Sequence, residues 1–291
     1  MRKFKKVYIE LTNICNLSCA FCPKSRRNPG FMEEGLFEKI LNEVKTSAKY
    51  IYFHVLGEPL LHPKLRHFLE LCEKQGLRVN ITTNGTLVDK VEEVLLTSPA
   101  LRQINVSLHS FEANMHNCSV DQYLNNIFKL IENARQTTSL SFTLRLWNLR
   151  EESSSEGNNY ILRRIEEFFK LPYRIQEELT PVNGLKLAER IFLNQAMTFQ
   201  WPDTAETELE EKGFCYGLRD QIAFLVDGTV VPCCLDSEAG IDLGNIRETT
   251  LEEILASERA SAMYDAFSNR KVVEPLCRKC SYRLRFNDSR F

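Results

Sequence analysis

The chain has 291 residues, 43% of them hydrophobic, and a formal net charge of −2. That length fits one large or two modest domains around a real core, and a near-neutral balance without a dominant basic block gives no footing for nucleic acid. No stretch approaches the ~18 apolar residues of a membrane span, and the basic start (Arg2, Lys3, Lys5, Lys6) lacks the apolar segment of a secretory signal; the expected location is cytoplasmic, where ten cysteines argue for metal and not for disulfides.

In chain order, residues 6–11 read as a buried strand, followed by a cysteine-rich loop running to Pro29 and Gly30. Leu36, Phe37, Ile40, Leu41 and Val44 recur at helical spacing and predict a helix over 34–47. Strands over 50–56, 77–82, 103–108 and 140–147 alternate with helices over 63–75, 88–96, 121–135 and 160–169. Gly76 stands where a helix C-cap belongs, and Cys72 reads as core packing. A sixth strand is expected near 173–178. Such alternation predicts βα units and a parallel sheet. Six units make an α/β fold, an open partial (β/α)6 TIM-like barrel, with its chemistry on the loops at the C-terminal strand ends.

Residues 151–159 read as a solvated loop, and 201–212 as a second one. The domain boundary is placed there: 1–204 forms the barrel and 205–291 a small cysteine-rich α+β domain. In the latter, residues 222–226, Asp227-Gly228 and 229–231 signal a β-hairpin with a tight type I′ turn. A helix follows from about Leu251.

Cys15, Cys19 and Cys22 follow the first strand, spaced four and three apart. Thiolates bind soft metals and hold iron–sulfur clusters. Three ligands on a four-iron cubane leave one iron open, and an open coordination position is what a chemically active site needs. Zinc is the alternative, although it favours C-x2-C pairs. With Phe21 before the last cysteine, this loop resembles the C-x3-C-x2-C motif of the radical S-adenosylmethionine (SAM) enzymes. The resemblance implies a [4Fe-4S] cluster whose open iron is chelated by the amino and carboxylate groups of SAM. It implies reductive cleavage of SAM to methionine and a 5′-deoxyadenosyl radical.

The other strand ends carry the same resemblance. Gly57-Glu58-Pro59 is similar to the family's G-G-E-P motif, with Leu56 in place of the first glycine. It implies that these residues hold the SAM amino group. An ammonium needs acceptors, and a glycine lets backbone come close. Thr83-Asn84-Gly85 is similar to a family T-N-G segment, which implies Asn84 near the ribose and methionine of SAM; Asn-Gly is equally an ordinary turn signal. Ser107 matches a family serine that helps bind SAM. Arg145, inside an apolar run, needs an anionic partner. The resemblance supplies the SAM carboxylate, and a structural ion pair is the alternative. His54, His109 and Arg26 are places to look for a catalytic base. Cys118 and His116 show no specific spacing.

Cys215, Cys233, Cys234, Cys277 and Cys280 lie in the last 77 residues. The hairpin would bring Cys215 near Cys233, and Cys277-Arg278-Lys279-Cys280 supplies a C-x2-C knuckle. The pattern Cys215, Gly228, Cys233 resembles the C-x9–15-G-x4-C opening of SPASM domains and of their shortened twitch form. With no cysteine after Cys280, the one-cluster form fits better. The resemblance implies a second, auxiliary [4Fe-4S] cluster closed by Cys215, Cys233, Cys277 and Cys280. The Gly-x4-Cys register favours Cys233, while Cys234 stays open as the ligand; adjacent strand residues face opposite sides. Four-cysteine zinc is the alternative for this site.

A closed cluster has no vacant iron and suits electron transfer. The expected reaction is therefore oxidative, a dehydrogenation or crosslink begun by hydrogen abstraction. The substrate is a small molecule, peptide or protein. A leader-recognition domain is not expected in the six residues before the first strand, which lowers the peptide reading. A reductant such as flavodoxin or ferredoxin is the implied partner. A non-catalytic iron–sulfur electron carrier and a zinc-binding interaction module are the readings from other classes.

Overall fold

The structure, a computed structural model, describes residues 2–113, 118–149, 156–178, 184–198, 200–203, 205, 207–209 and 211–286. His116, Thr204 at the expected boundary and residues 151–155 of the expected loop lie outside them. The chain forms two compact units: Met1–Cys15, Cys22–Val79 and Phe199–Phe291 in unit 1, and Asn16–Phe21 with Asn80–Thr198 in unit 2.

Unit 1 opens with β1 (Lys6–Ile9), α1 (Glu34–Val44), β2 (Tyr50–Phe53) and α2 (Leu65–Lys74). β1 and β2 pair in parallel, Val7 opposite Ile51 and Ile9 opposite Phe53. The five apolar residues expected on α1 are its buried face. Phe37 stacks on Phe68 of α2 at 4.1 Å between ring centroids and meets Phe53 edge-on at 5.9 Å; such ring pairs add to the area they bury. At the end of α2 the amide of Leu77 donates to Cys72 O and that of Gly76 to Glu73 O. Those two bonds are a Schellman cap, which satisfies carbonyls the helix leaves over.

β3 (Arg78–Thr83) carries the chain into unit 2. There follow α3 (Glu92–Thr97), β4 (Leu101–Ser107), α4 (Val120–Thr137), β5 (Ser141–Leu149), α5 (Glu156–Phe169), α6 (Ile175–Glu178), β6 (Leu185–Ala188) and β7 (Ile191–Met197). β4, β5 and β7 are parallel neighbours, and β6 pairs antiparallel with β7. In β5, buried Phe142, Leu144 and Leu146 alternate with half-buried Thr143, Arg145 and Trp147. Phe128 of α4 stacks on Phe168 of α5 at 4.3 Å.

The sixth strand is not where the sequence placed it. Residues Ile175–Glu178 form a one-turn helix. The buried Glu166 carboxylate accepts from the Ile175 amide (2.8 Å) and from Arg174 (2.6 Å), which fixes the start of that helix. The sixth parallel strand is β7, in which buried Ile191 and Leu193 show the period of a strand.

The chain returns to unit 1 as β8 (Gln221–Phe224), β9 (Val230–Val231), α7 (Leu251–Ala256), α8 (Glu258–Ser268) and α9 (Pro275–Arg278). The hairpin forms, but not with a type I′ turn. Gly228 alone in the turn has positive φ (+96°). The Gly228 amide donates to Leu225 O, and the Leu225 amide to Thr229 O. The loop is thus a type I turn closed by a left-handed glycine bulge. β8 also pairs in parallel with β1, from Lys6 opposite Gln221 to Ile9 opposite Phe224. Thr250 and Glu253 form a capping box at the start of α7.

Candidate active site and auxiliary cysteine site

The cysteine loop is closed at its neck by its own side chains. Thr12 Oγ1 donates to Gly30 O (2.7 Å), Asn13 Nδ2 to Asn28 O (2.9 Å), and the Gly30 amide to Asn13 Oδ1 (2.8 Å). Beyond the neck, Cys15 and Cys22 are exposed and Cys19 is half-buried. The loop is therefore anchored at its base and presents thiols at its rim.

Within unit 1 the Gly57 turn lies directly against the neck. Gly57 has φ +72°, and a Cβ built there would sit 2.2 Å from Thr12 O and 2.8 Å from Ile14 O. Only glycine can occupy that position. The Glu58 amide donates to Ile14 O (2.9 Å). The Glu58 carboxylate, 1% exposed, accepts from the Leu60 amide (3.0 Å), and Pro59 opens the short 3-10 turn Pro59–Leu61. Half-buried His54 lies 6.3 Å from the Tyr8 ring, centroid to centroid. Arg26 is exposed, its amide donating to Glu238.

Within unit 2 the middle of the loop is held by the turn after β3. Asn84 Nδ2 donates to Asn16 Oδ1 (2.9 Å), and Asn16 Nδ2 donates to Thr86 Oγ1 (2.8 Å). The buried Asn84 thus grips the loop through Asn16 and also accepts from the Thr86 amide. Phe21 packs its ring 4.7 Å from that of His109. His109 is 6% exposed, and burial pushes its pKa down to about 4, so it is neutral near pH 7. Its Nδ1 lies 3.1 Å from Arg145 O and 3.3 Å from the Trp147 amide. Ser107, half-buried at the end of β4, stands opposite Arg145 in the β4–β5 register. The Arg145 guanidinium lies 4.6 Å from the Trp147 ring centroid, a cation–π contact.

Cys215, Cys233, Cys277 and Cys280 come together in unit 1. Each is half-buried. Burial pushes the Cys215 thiol up to about 11, and those of Cys233, Cys277 and Cys280 upward as well. Nearby cysteines add to the effect: Cys233 feels Cys234 first and then Cys215 and Cys277, and Cys277 feels Cys215 and Cys280. Amides of Tyr216 and Gly217 donate toward Cys215, and those of Tyr282 and Arg283 toward Cys280. Four enclosed thiols that repel one another as thiolates are a donor set that gives up protons on binding a cationic cluster. Among the described residues no three His, Cys, Asp or Glu side chains lie close enough to hold a single metal ion. A cubane, being larger than one ion, holds its sulfurs farther apart. Cys234 has other partners as well. It shares a hydrogen bond with Tyr8 and packs against the apolar group of Tyr8, Val55, Ala223, Leu225 and Val231.

Family models place both parts. The radical SAM superfamily model matches residues 9–156, just over half of the chain. The chain belongs to the radical SAM superfamily. An iron–sulfur cluster-binding SPASM model matches residues 215–281 of this radical SAM protein. SAM, a SAM-binding [4Fe-4S] cluster and an auxiliary cluster are accordingly its cofactors. A tungsten-containing aldehyde ferredoxin oxidoreductase cofactor-modifying protein of Pyrococcus furiosus is 27% identical, covering 96% of this chain and 88% of that protein. A GTP 3′,8-cyclase of Aquifex aeolicus is 30% identical, covering 87% and 89% respectively. The crystal structure of BtrN in complex with AdoMet and 2-DOIA matches with a TM-score of 0.57 at 16% identity, covering 97% of this chain and 94% of that one. At that identity the likeness is one of fold.

Sequence reasoning passed over two charged groups. Glu10, fully buried, accepts from both Arg27 Nη atoms at 2.8 and 2.7 Å and from the Val226 amide at 2.9 Å. Arg27 Nε donates to Ser237 O (2.7 Å). This pair ties the cysteine loop to the segment just after Cys233. A carboxylate inside the apolar run Val7–Leu11 was a signal for it. Arg283, 1% exposed beside the four-cysteine site, gave none, since Arg285 two positions on looks the same in sequence.

Proposed function

We propose that this radical SAM protein removes a hydrogen atom from a small polar molecule and leaves it oxidised, by dehydrogenation or crosslinking, with one auxiliary [4Fe-4S] cluster assisting. Residues 1–204 would house SAM cleavage and 205–291 the auxiliary cluster. Bound by Cys15, Cys19 and Cys22, a [4Fe-4S] cluster supplies reductive cleavage of SAM to a 5′-deoxyadenosyl radical. The observation that carries the reading is the loop itself, tied at the neck by Thr12 and Asn13 while Cys15 and Cys22 are exposed and Cys19 is half-buried. That leaves coordination space for a ligand the protein does not provide.

Gly57, Glu58 and Pro59 are assigned to the amino group of SAM. The close approach of the Gly57 turn to Thr12 and Ile14 supports this by placing carbonyl and carboxylate oxygens at the loop base. Asn84, Ser107 and Arg145 are assigned to its ribose and carboxylate, and Phe21 to the wall behind the loop. The radical enzyme must also hold the substrate C–H in line and keep water away. A small polar substrate is favoured because one relative is named for GTP and BtrN, similar in fold, is in complex with 2-DOIA. A flavodoxin- or ferredoxin-type reductant would deliver the electron.

The test is anaerobic incubation of the reconstituted protein with SAM, dithionite and a metabolite extract. Formation of 5′-deoxyadenosine should rise with the extract. One metabolite should lose two hydrogen atoms per turnover, one of them recovered as deuterium in 5′-deoxyadenosine when the substrate is labelled. A peptide consumed in its place would move the substrate class, and absence of SAM cleavage would remove the reading.

A further inference from the structure

Three residues stand in one row across the strands of unit 2. Ser107 of β4 pairs with Arg145 of β5, and Arg145 with Asn194 of β7. Trp147 lies two residues beyond Arg145 and so on the same face of β5. Arg145, Trp147 and Asn194 are half-buried, while Leu144, Leu146 and Leu193 on the opposite face are buried.

Trp147 is held at two points. Its Nε1 donates to Asn194 Oδ1 (2.6 Å), and its amide donates to His109 Nδ1 (3.3 Å). The His109 ring in turn packs 4.7 Å from that of Phe21 in the cysteine loop. An indole has a single donor, and here it goes to the residue in register with Arg145. The ring so fixed has the Arg145 guanidinium 4.6 Å from its centroid.

An arginine side chain is rich in rotamers, and ordering it at the moment a ligand binds weakens binding. A ring contact restricts those rotamers beforehand without using an N–H donor. With five donors, a guanidinium can hold a carboxylate alongside other partners.

We propose that Trp147, braced by Asn194, is a positioning residue that holds the Arg145 guanidinium ready for the carboxylate of SAM. The inference rests on the assignment of Arg145 to that carboxylate. It specifies which part of SAM feels a change at Trp147: the carboxylate, and not the amine or the nucleoside.

The experiment is equilibrium dialysis of the anaerobically reconstituted protein against SAM and against decarboxylated SAM, with iron counted in the same samples. The decarboxylated compound keeps the sulfonium, the amine and the nucleoside. Trp147→Leu should keep its iron and weaken SAM about tenfold, the scale of a partly buried cation–π contact. Decarboxylated SAM should weaken by less than about twofold in the same variant, because the lost coupling is to the missing group. Trp147→Phe keeps a ring but loses Nε1, and Asn194→Leu removes the acceptor. Each should weaken SAM about threefold, the scale of one hydrogen bond. The double variant should weaken it no further, because both changes remove the same bond. Equal weakening of the two ligands overturns the proposal, since a merely structural role moves both. So does an unchanged SAM affinity in Trp147→Leu with full iron. Should the leucine variant lose its clusters, Trp147→Phe and Asn194→Leu decide by the same comparison. Arg145→Leu tells the two possible failures apart. It should narrow the preference for SAM over decarboxylated SAM; if it does not, the assignment of Arg145 is what has failed.

Discussion

The two cysteine sites differ in how the chain closes around them. The first is a single loop, tied at its neck, with two of three thiols exposed. The second draws four half-buried thiols from three separate segments: Cys215 before β8, Cys233 after β9, and Cys277 and Cys280 in and after α9. Enclosure disfavours the charged thiolate and so raises proton affinity, as the upward push on all four thiols shows. Exposure leaves room at the rim. On the assignment proposed above, the first site would admit a ligand and the second would exclude one. The largest test of that contrast is Cys19→Ala. It should abolish 5′-deoxyadenosine formation while the auxiliary cluster keeps its iron and its spectrum. Residual SAM cleavage above the protein-free rate would end the distinction.

The reverse change should be partial in iron and broad in stability. Cys277→Ala should remove about half the iron, because a three-cysteine remnant in a closed wall holds a cluster poorly. It should also lower the thermal midpoint, since the cluster cross-links segments with little regular structure between them. Iron counting and calorimetry on one anaerobic sample read both. Full iron content would show that another side chain, Cys234 first among them, closes the site.

What connects the sites is the Glu10–Arg27 pair. It spans from β1 and the cysteine loop to Val226 and Ser237 in the return segment. Removing one partner of such a pair leaves a buried charge uncompensated, at a cost of about 3–5 kcal/mol. Arg27→Met should lose stability in that range and impair both clusters together, though Arg27 is a ligand in neither. Loss of one cluster's spectrum alone would mean that the two sites are braced independently.

The legible parts of the molecule were those set by local pattern. α1 showed its buried face as a 3.6-residue period, and Gly76 ended α2 as its chemistry required. The family itself was legible in the motif around Cys15, Cys19 and Cys22 and in the Cys215-to-Cys280 pattern, which the family models match. The parts that were not legible depend on what arrives from far along the chain. Ile175–Glu178 carries an apolar, strand-like start, yet it is a helix because buried Glu166 caps it. The hairpin turn was assigned by Asp227-Gly228, but the strand twist is met with one left-handed residue and not two. That β8 would lie beside β1 has no local signal at all. The hydrogen bond between Cys234 and Tyr8, more than 200 residues apart in sequence, had no local signal either.

The smallest predicted effect concerns His109, which packs behind Phe21 in the loop. Its folded pKa, pushed down to about 4 by burial, lies below the ordinary histidine value of 6.5. Between those values the unfolded chain binds a proton that the folded one does not, so stability falls as pH falls through this window. Arg145 faces His109 from β5. Its backbone carbonyl favours the imidazolium, and its charge opposes it more weakly than burial does. His62 also has a folded pKa below its ordinary value, with burial the main cause, so some acid sensitivity will outlast any single change. From pH 7.5 to 5.5, linkage predicts that His109 alone costs about 1 kcal/mol. Chemical denaturation at both pH values, compared with His109→Gln, isolates that share. The variant should lose about 1 kcal/mol less than the wild type over the same interval, whatever its stability at pH 7.5. Parallel losses in the two proteins would mean that His109 already takes up its proton in the folded state, and that its surroundings are wetter than its 6% exposure implies.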